Sequence, residues 1–446
     1  MKTNQGQMNM TEGSVVKQIL RFSLPLVASG LLQALYNMCD MIIAGRFIGS
    51  NALSAINNSS QILVTITKIA IGIMTGGNVL IGQFFGGKVY DKQKKATGTL
   101  LSFALILGVV TMLVLYIFAE PILRLLRAPS ITEAVAYLRI CAVGMFFVFI
   151  YNAMSAVFQA VGNSKTPTKI VILATVLNLG LDLVFVAVFD IGIQGTAIAT
   201  TLAQAMSAVL CLIALLKRDE MIKLSVKFFR IQKDMLKKIL KFGIPSAIQM
   251  SIAGVSWLTI TFLINKYGVD VSAGNGIAIK IKDLCQMLIA SMSAGAVSII
   301  AQNLGAKLYD RAKAVTYTTM KITLIMSIIT IAAVELWSPQ MAGIFSDEPA
   351  VIDAAVMNMR IEIVGQIFYA IFMVYHSLAI GAGHSVFAMI SSFVNCILAR
   401  VVLALIFDSV FGLWGIYLAC AIAPFSSVPV CIWYVRSNKW RRSINA

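Results

Sequence analysis

A chain of 446 residues that is 59% hydrophobic and only 12% charged, with a mean hydropathy of +0.86, has too few polar side chains to clothe a soluble globule of its size. Its formal charge of +17 invites a nucleic-acid reading, but the basic residues fall between long apolar runs and not on one face of a soluble domain, so that class is excluded. What remains is an all-α polytopic membrane protein whose solvent is the lipid bilayer.

The opening MKTNQGQMNMTEGSVVKQ is polar and is not followed by a short apolar region with a small-residue cleavage site, so no cleaved signal is expected. Apolar stretches of about 20 residues, the length that crosses a bilayer as a helix, recur twelve times. They centre on 24–45, 54–82, 97–119, 133–158, 168–189, 194–216, 241–265, 272–301, 317–337, 355–381, 386–407 and 413–435. Twelve transmembrane helices follow. The one long polar connection, KRDEMIKLSVKFFRIQKDMLKKILK from Lys217, lies between the sixth and seventh, dividing the chain into an N-lobe over 1–216, a linker over 217–240 and a C-lobe over 241–446.

With the N-terminus in the cytoplasm, twenty-five basic residues flank the inner ends of the spans, against four (Arg46, Arg124, Arg127 and Lys266) on the outer side. That asymmetry sets the orientation under the positive-inside rule, with both termini cytoplasmic and the chain multi-pass in the inner, plasma membrane.

The first span holds one acid, Asp40, within LPLVASGLLQALYNMCDMIIAGRFIG from Leu24 to Gly49. A charge at bilayer depth costs roughly 3 kcal/mol or more, so such a residue faces a bundle interior or a watery cavity and marks function. Pro25, near the start of the same span, frees a backbone carbonyl and is expected to act as the hinge about which the span shifts. In the fifth span Asn178 and Asp182 are four residues apart, on one helix face, and present a carbonyl and a carboxylate to one point. Asp40, Asn178 and Asp182 together make a donor set of oxygens for a small hard cation such as Na⁺. The same two carboxylates can instead share a proton, because like charges held close raise one pKa. The spacing leaves Na⁺ and H⁺ both open.

The second half repeats the first. FSLP at 22–25 returns as FGIP at 242–245, IGQFFG at 81–86 as IAQNLG at 300–305, Arg139 as Arg360, Asn178 as Asn395, and GIQG at 192–195 as GLWG at 412–415. Six spans per half is an even number, so the halves enter the membrane in the same sense as a parallel repeat about an axis along the membrane normal. The acids are not repeated: four residues after Asn395 stands Ala399, followed by Arg400. Lys68, Lys280, Lys282, Arg139, Arg360 and Arg400 fall in or near spans, and some of them are expected to pair with Asp283 and Glu362.

An enzyme reading finds little to hold. The histidines are His376 and His384 alone, with no HExxH and no Walker loop, so no catalysis and no cofactor are expected and any transport would be driven by an ion gradient. The seven cysteines sit in apolar segments without CxxC spacing and read as small packing residues.

At this point the residues resemble the multidrug and toxic compound extrusion (MATE) family. The resemblance rests on MTEGSVVKQILRFSLPLVASGLLQALYNMCDMIIAGRFIG, on IGQFFGGKVYDKQKKA with its echo IAQNLGAKLYDRAKA, on AVGNSKTP at 160–167, and on Asn178 to Asp182 followed by GIQGTAIAT. It implies a two-lobed V of six helices each that acts as a monomeric secondary antiporter, exporting amphipathic organic cations in exchange for Na⁺ or H⁺ by rocker-switch alternating access. It also implies a cation-coupling site at Asp40, Asn152, Asn178, Asp182 and Thr200, with Tyr137 beside them. Another branch of the family carries acids in the seventh and tenth spans, where this chain reads PSAIQMSIAGVSW and FYAIFMVYHSLAIGAG. Flippases of lipid-linked sugars share the fold, which keeps export of a lipid-linked or anionic amphiphile as the alternative.

Overall fold

The computed structural model describes residues 8–47, 50–125, 131–217 and 230–441; the side chains of 34–47, 50–55, 57, 58 and 187 lie outside that description. The helices are α1 (Val15–Phe47), α2 (Ser50–Gly86), α3 (Tyr90–Leu125), α4 (Ile131–Ala160), α5 (Lys165–Asp182), α6 (Ile193–Leu216), α7 (Lys233–Asn265), α8 (Val269–Gly305), α9 (Tyr309–Gly343), α10 (Pro349–Ile363), α11 (Gln366–Gly381), α12 (Ser385–Phe393), α13 (Val402–Phe411), α14 (Leu413–Ile422) and α15 (Ser427–Arg436). Among the described residues eleven helical segments are long and apolar enough to cross a membrane, and the α10–α11 pair, bent by 48°, makes the twelfth. The expected tenth span is thus two helices meeting at Val364–Gly365.

The chain forms two compact units. Met1–Asn9 with Ala28–Gly243 make the first, and Met10–Val27 with Ile244–Ala446 the second, so the chain changes unit inside α1 and again inside α7. Pro25 and Pro245 lie within two residues of those changes, yet α1 and α7 each run on as one helix through their proline. The central connection over 218–229 lies outside the described residues. After it, Gln232 N–H donates to Thr99 Oγ1 on α3 at 3.2 Å within the first unit.

In the first unit α4 is the hub, packed along α2, α3 and α6. Its core gathers Ile56, Leu123, Tyr137, Leu138, Cys141 and Ile193. In the second unit α8 takes the central place against α9, α10 and α11, with Ile277, Ile281, Val334, Met359 and Ile363 buried between them. The side of α3 turned away from these contacts leaves Leu105, Ile106, Val109, Leu113, Tyr116, Ile117 and Phe118 exposed. An outward stripe that apolar is stable against lipid tails and not against water.

The repeat is visible in the backbone itself. Gly192 and Gly412 precede α6 and α14 at φ/ψ of 68/−146° and 60/−143°, a region that glycine alone enters at no steric cost. Small residues also let helices approach in matching places. A Cβ on Gly76 of α2 would lie 2.5 Å from the backbone nitrogen of Gly243, and one on Gly243 would lie 2.6 Å from the carbonyl oxygen of Ile73. In the second unit Gly295 of α8 meets Ser23 of α1 in the same manner, its Cβ landing 3.0 Å from that of Ser23.

Helices held this close by absent side chains are broken by added ones. Gly243→Val is expected to destabilise the protein by about 1–3 kcal/mol through overpacking, whereas Gly254→Ala on the same helix, where a Cβ meets nothing within 4 Å, is expected to leave it unchanged. Thermal unfolding of the detergent-purified variants, followed by size-exclusion fluorescence, checks both; equal melting curves would show that the contact does not hold the unit together.

Candidate functional site

Asn178 and Asp182 both sit on the buried face of α5, at 3% and 0% exposure, as their spacing requires. Asp182 is the last α-helical residue of its element. Beyond it the backbone widens into a π-helix, Leu183–Val188, closed by the Phe189 N–H donating to the Val184 carbonyl at 3.0 Å. Such widening is common at functional sites because it redirects side chains without ending the helix. The Asn178 amide nitrogen has no hydrogen-bond partner, although it is fully enclosed.

Tyr137 and Thr200 lie on α4 and α6. Tyr137 lies in the second turn of α4, 4% exposed, in the same core cluster as Ile193 and Ala197 of α6. Thr200 lies two turns into α6, half-buried, and the next residue, Thr201, donates to the Ile140 carbonyl of α4 at 3.2 Å. Asn152 is far from Tyr137. It is fifteen residues beyond Tyr137 on the unbroken α4, about 22 Å at the helical rise, and its Nδ2 donates to the Val148 carbonyl of its own helix at 2.8 Å. Tyr137 and Asn152 therefore do not share one coordination shell. Asp40 lies on α1, but its side chain is outside the described residues; Pro25 is half-buried.

The basic residues sort into surface and interior. Lys68 and Lys280 are exposed, and Arg360 pairs at the surface with Glu335 at 3.8 Å. Arg139 turns to Tyr116, donating to its carbonyl at 3.3 Å with the guanidinium 5.6 Å from the ring centre. Lys282 is buried, and its Nζ contacts Glu362 Oε2 at 2.5 Å. Spacing allowed any of six cations for Glu362, and α8 against α10 selects Lys282.

Around that ion pair the second unit holds a polar cluster that no motif announced. Asn275, two turns before Lys282 on α8, accepts at 2.9 Å from Asn358, one turn before Glu362 on α10. Trp257 of α7 lies beneath two cations, with Lys282 Nζ 3.4 Å and Arg400 Cζ 4.5 Å from its ring centroid. Arg400 belongs to the π-helix Val394–Val401, the counterpart of the one that follows Asp182. The seven- and four-residue spacings of these polar groups were readable, but their convergence from three helices was not. The histidines are packed: His376 shares a 3.1 Å hydrogen bond with Gln249, and His384 one of 2.7 Å with Tyr434.

The MatE family model matches residues 25–184 and 245–406, once in each half of the chain. The chain belongs to the MATE family of multidrug efflux transporters. It is 29% identical over 344 residues to the probable multidrug resistance protein YoeA of Bacillus subtilis, covering 75% of this chain and 74% of that one. It is 24% identical over 416 residues to the multidrug export protein MepA of Staphylococcus saprophyticus, covering 92% and 91%. A solved multidrug resistance MATE transporter described as outward-facing superposes with a TM-score of 0.92 at 21% identity over 98% of both chains. The fold and the multi-pass membrane character of this MATE protein follow.

Removing one member of a buried ion pair strands the other. Lys282→Met is expected to cost about 3–5 kcal/mol, and the double change Lys282→Met with Glu362→Gln to recover most of that loss. Unfolding of both proteins in detergent decides it, and a double variant no more stable than the single one would deny the pair its structural weight.

Proposed function

We propose that this MATE protein is a secondary active antiporter that exports amphipathic organic cations in exchange for Na⁺ or H⁺ by rocker-switch alternating access. The observation that carries the reading is a fully buried carboxylate, Asp182, with the amide of Asn178 one turn before it, at the point where α5 opens into a π-helix. A carboxylate kept in a membrane interior is maintained against a cost and is a functional group by default.

The coupling ion would sit among carboxylate, amide and hydroxyl oxygens. Asp182 and Asn178 supply the core of the site, Thr200 a hydroxyl from α6, and Asp40 the second carboxylate from α1. Tyr137 closes the site from α4, and Asn152 serves the same lobe nearer the other end of that helix. These are donors suited to a hard cation, and the two carboxylates suit a shared proton equally. Pro25 is the position at which α1 would yield when the ion binds. By thermodynamic linkage, an ion that weakens drug binding is weakened by the drug to the same degree.

The protein would work as a monomer in the plasma membrane, its termini cytoplasmic in keeping with its basic inner loops, as a transporter and not an enzyme. Export of a lipid-linked or anionic amphiphile is the second reading, favoured by the basic cluster of the second unit.

Asp40→Asn and Asp182→Asn are each expected to abolish ion-driven dye efflux from vesicles while leaving a folded protein; export at the wild-type rate by either would refute the assignment. Drug affinity of the purified protein, measured across Na⁺ concentration at fixed ionic strength and across pH, then names the ion. A response to Na⁺ assigns Na⁺, a response to pH alone assigns H⁺, and indifference to both would end the antiport reading.

A further inference from the structure

Two helices of the second unit carry outward faces that change character in the same order. Along α9 the exposed side chains pass from Ile328 and Ile325 to Lys321, Tyr317 and Lys313 toward the start of the helix, and along α15 from Val430 to Trp433 and Arg436 toward its end. Residues three and four apart share a helix face, so each row is one stripe running from apolar through aromatic to basic. The stripes finish at the same end of the unit, because Arg441, just beyond α15, reaches Asp310 in the first turn of α9 at 3.7 Å.

Helix α11 packs against both α9 and α15 and joins the two stripes. Its Tyr375 is half-buried, and Tyr317 of α9 and Arg436 of α15 both lie within electrostatic reach of its phenol. Two phenols thus stand among Lys313, Lys321 and Arg436, with Lys313 Nζ 5.9 Å from the Tyr317 ring centre. Lys321 is the residue that composition does not explain. It lies inside the apolar run 317–337 and is exposed on a stripe whose next members are Ile325 and Ile328. A lysine so placed buries its stem along apolar surface and carries its ammonium to the headgroup level. Among the described residues the acids at this end of the unit are Asp310, paired with Arg441, and Glu12, exposed before α1. None of Lys313, Lys321 and Arg436 forms an ion pair with either, or with any other described acid.

We propose that this patch binds an anionic phospholipid, its phosphate held by Lys321 and Arg436 with the hydroxyls of Tyr317 and Tyr375, and its acyl chains laid along Ile325 and Ile328. A phosphate diester offers oxygens to several donors at once and meets guanidinium and ammonium groups in charge-assisted hydrogen bonds. Tyrosine and tryptophan settle at the same depth as the headgroups, and basic pockets between spans on one side of a membrane hold anionic ones. A soluble phosphate would leave the apolar half of each stripe unused, whereas a lipid meets both halves. The site touches neither the cation site proposed in the first lobe nor the buried cluster around Arg400, and it stands without either.

The test is native mass spectrometry of the full-length protein in detergent, titrated with phosphatidylglycerol. Phosphatidylcholine of the same chains serves as the zwitterionic lipid, and glycerol 3-phosphate as the headgroup without chains. Wild type is expected to prefer phosphatidylglycerol over phosphatidylcholine about tenfold at its first bound lipid, and the double change Lys321→Gln with Arg436→Gln to remove that preference, since two basic side chains lose their pull on the phosphate. Lys321→Arg with Arg436→Lys is expected to keep it, as is Lys280→Gln, which neutralises an exposed lysine on α8. Equal binding of the two lipids, an undiminished preference in the neutralised double variant, a preference lost in Lys280→Gln, or displacement of the lipid by glycerol 3-phosphate would each overturn the site. Should the double variant fail to fold, Lys321→Gln decides alone, and a preference equal to that of wild type overturns it. The measurement uses no ion gradient and no efflux, so its failure leaves the antiport reading untouched, and failure of antiport leaves this one.

Discussion

A charge enclosed by apolar helices has to be answered by a group that another helix brings to it, since no water is available at that depth to do so. In this transporter that requirement decides which residues share a level. Lys282 is answered by Glu362 from α10, Arg400 in part by the face of Trp257 from α7, and Asp182 lies on the buried face of α5. Cations that can reach the helix ends escape the requirement: Arg139 and Arg360, equivalent in the repeat, both spread over neighbouring backbone and surface groups.

The internal repeat gives this constraint two outcomes on one scaffold. Both halves keep an asparagine in the fifth span, a stretch of π-helix in that span, and a glycine of positive φ before the last span of the half. Duplication preserves backbone features because packing and φ/ψ depend on them, whereas the side chain aimed into the interior is free to change sign once its surroundings change with it. Hence an acidic centre in one unit and a basic one in the other.

Helices α1 and α7 occupy a special position. Each contributes its first part to one compact unit and its remainder to the other, with a proline beside the change and a small residue, Ser23 or Gly243, packed against a glycine of α8 or α2. The proline removes one backbone donor there without breaking the helix, so the softest point of each helix coincides with the change of unit.

Hydropathy was enough to determine helix count and the membrane class, because each depends on composition averaged over about twenty residues. Spacing alone placed Asn178 and Asp182 on one face, since i and i+4 neighbour each other on any helix. What tertiary structure decided was everything that depends on which faces meet. It chose Lys282 from six candidate cations for Glu362, sent Arg360 to Glu335, and bent the tenth span into two helices. The basic centre built from α7, α8, α10 and the π-helix after α12 was invisible for the same reason. Its members are scattered over 144 residues of sequence, Trp257 to Arg400, and only helix packing sets their side chains against one another.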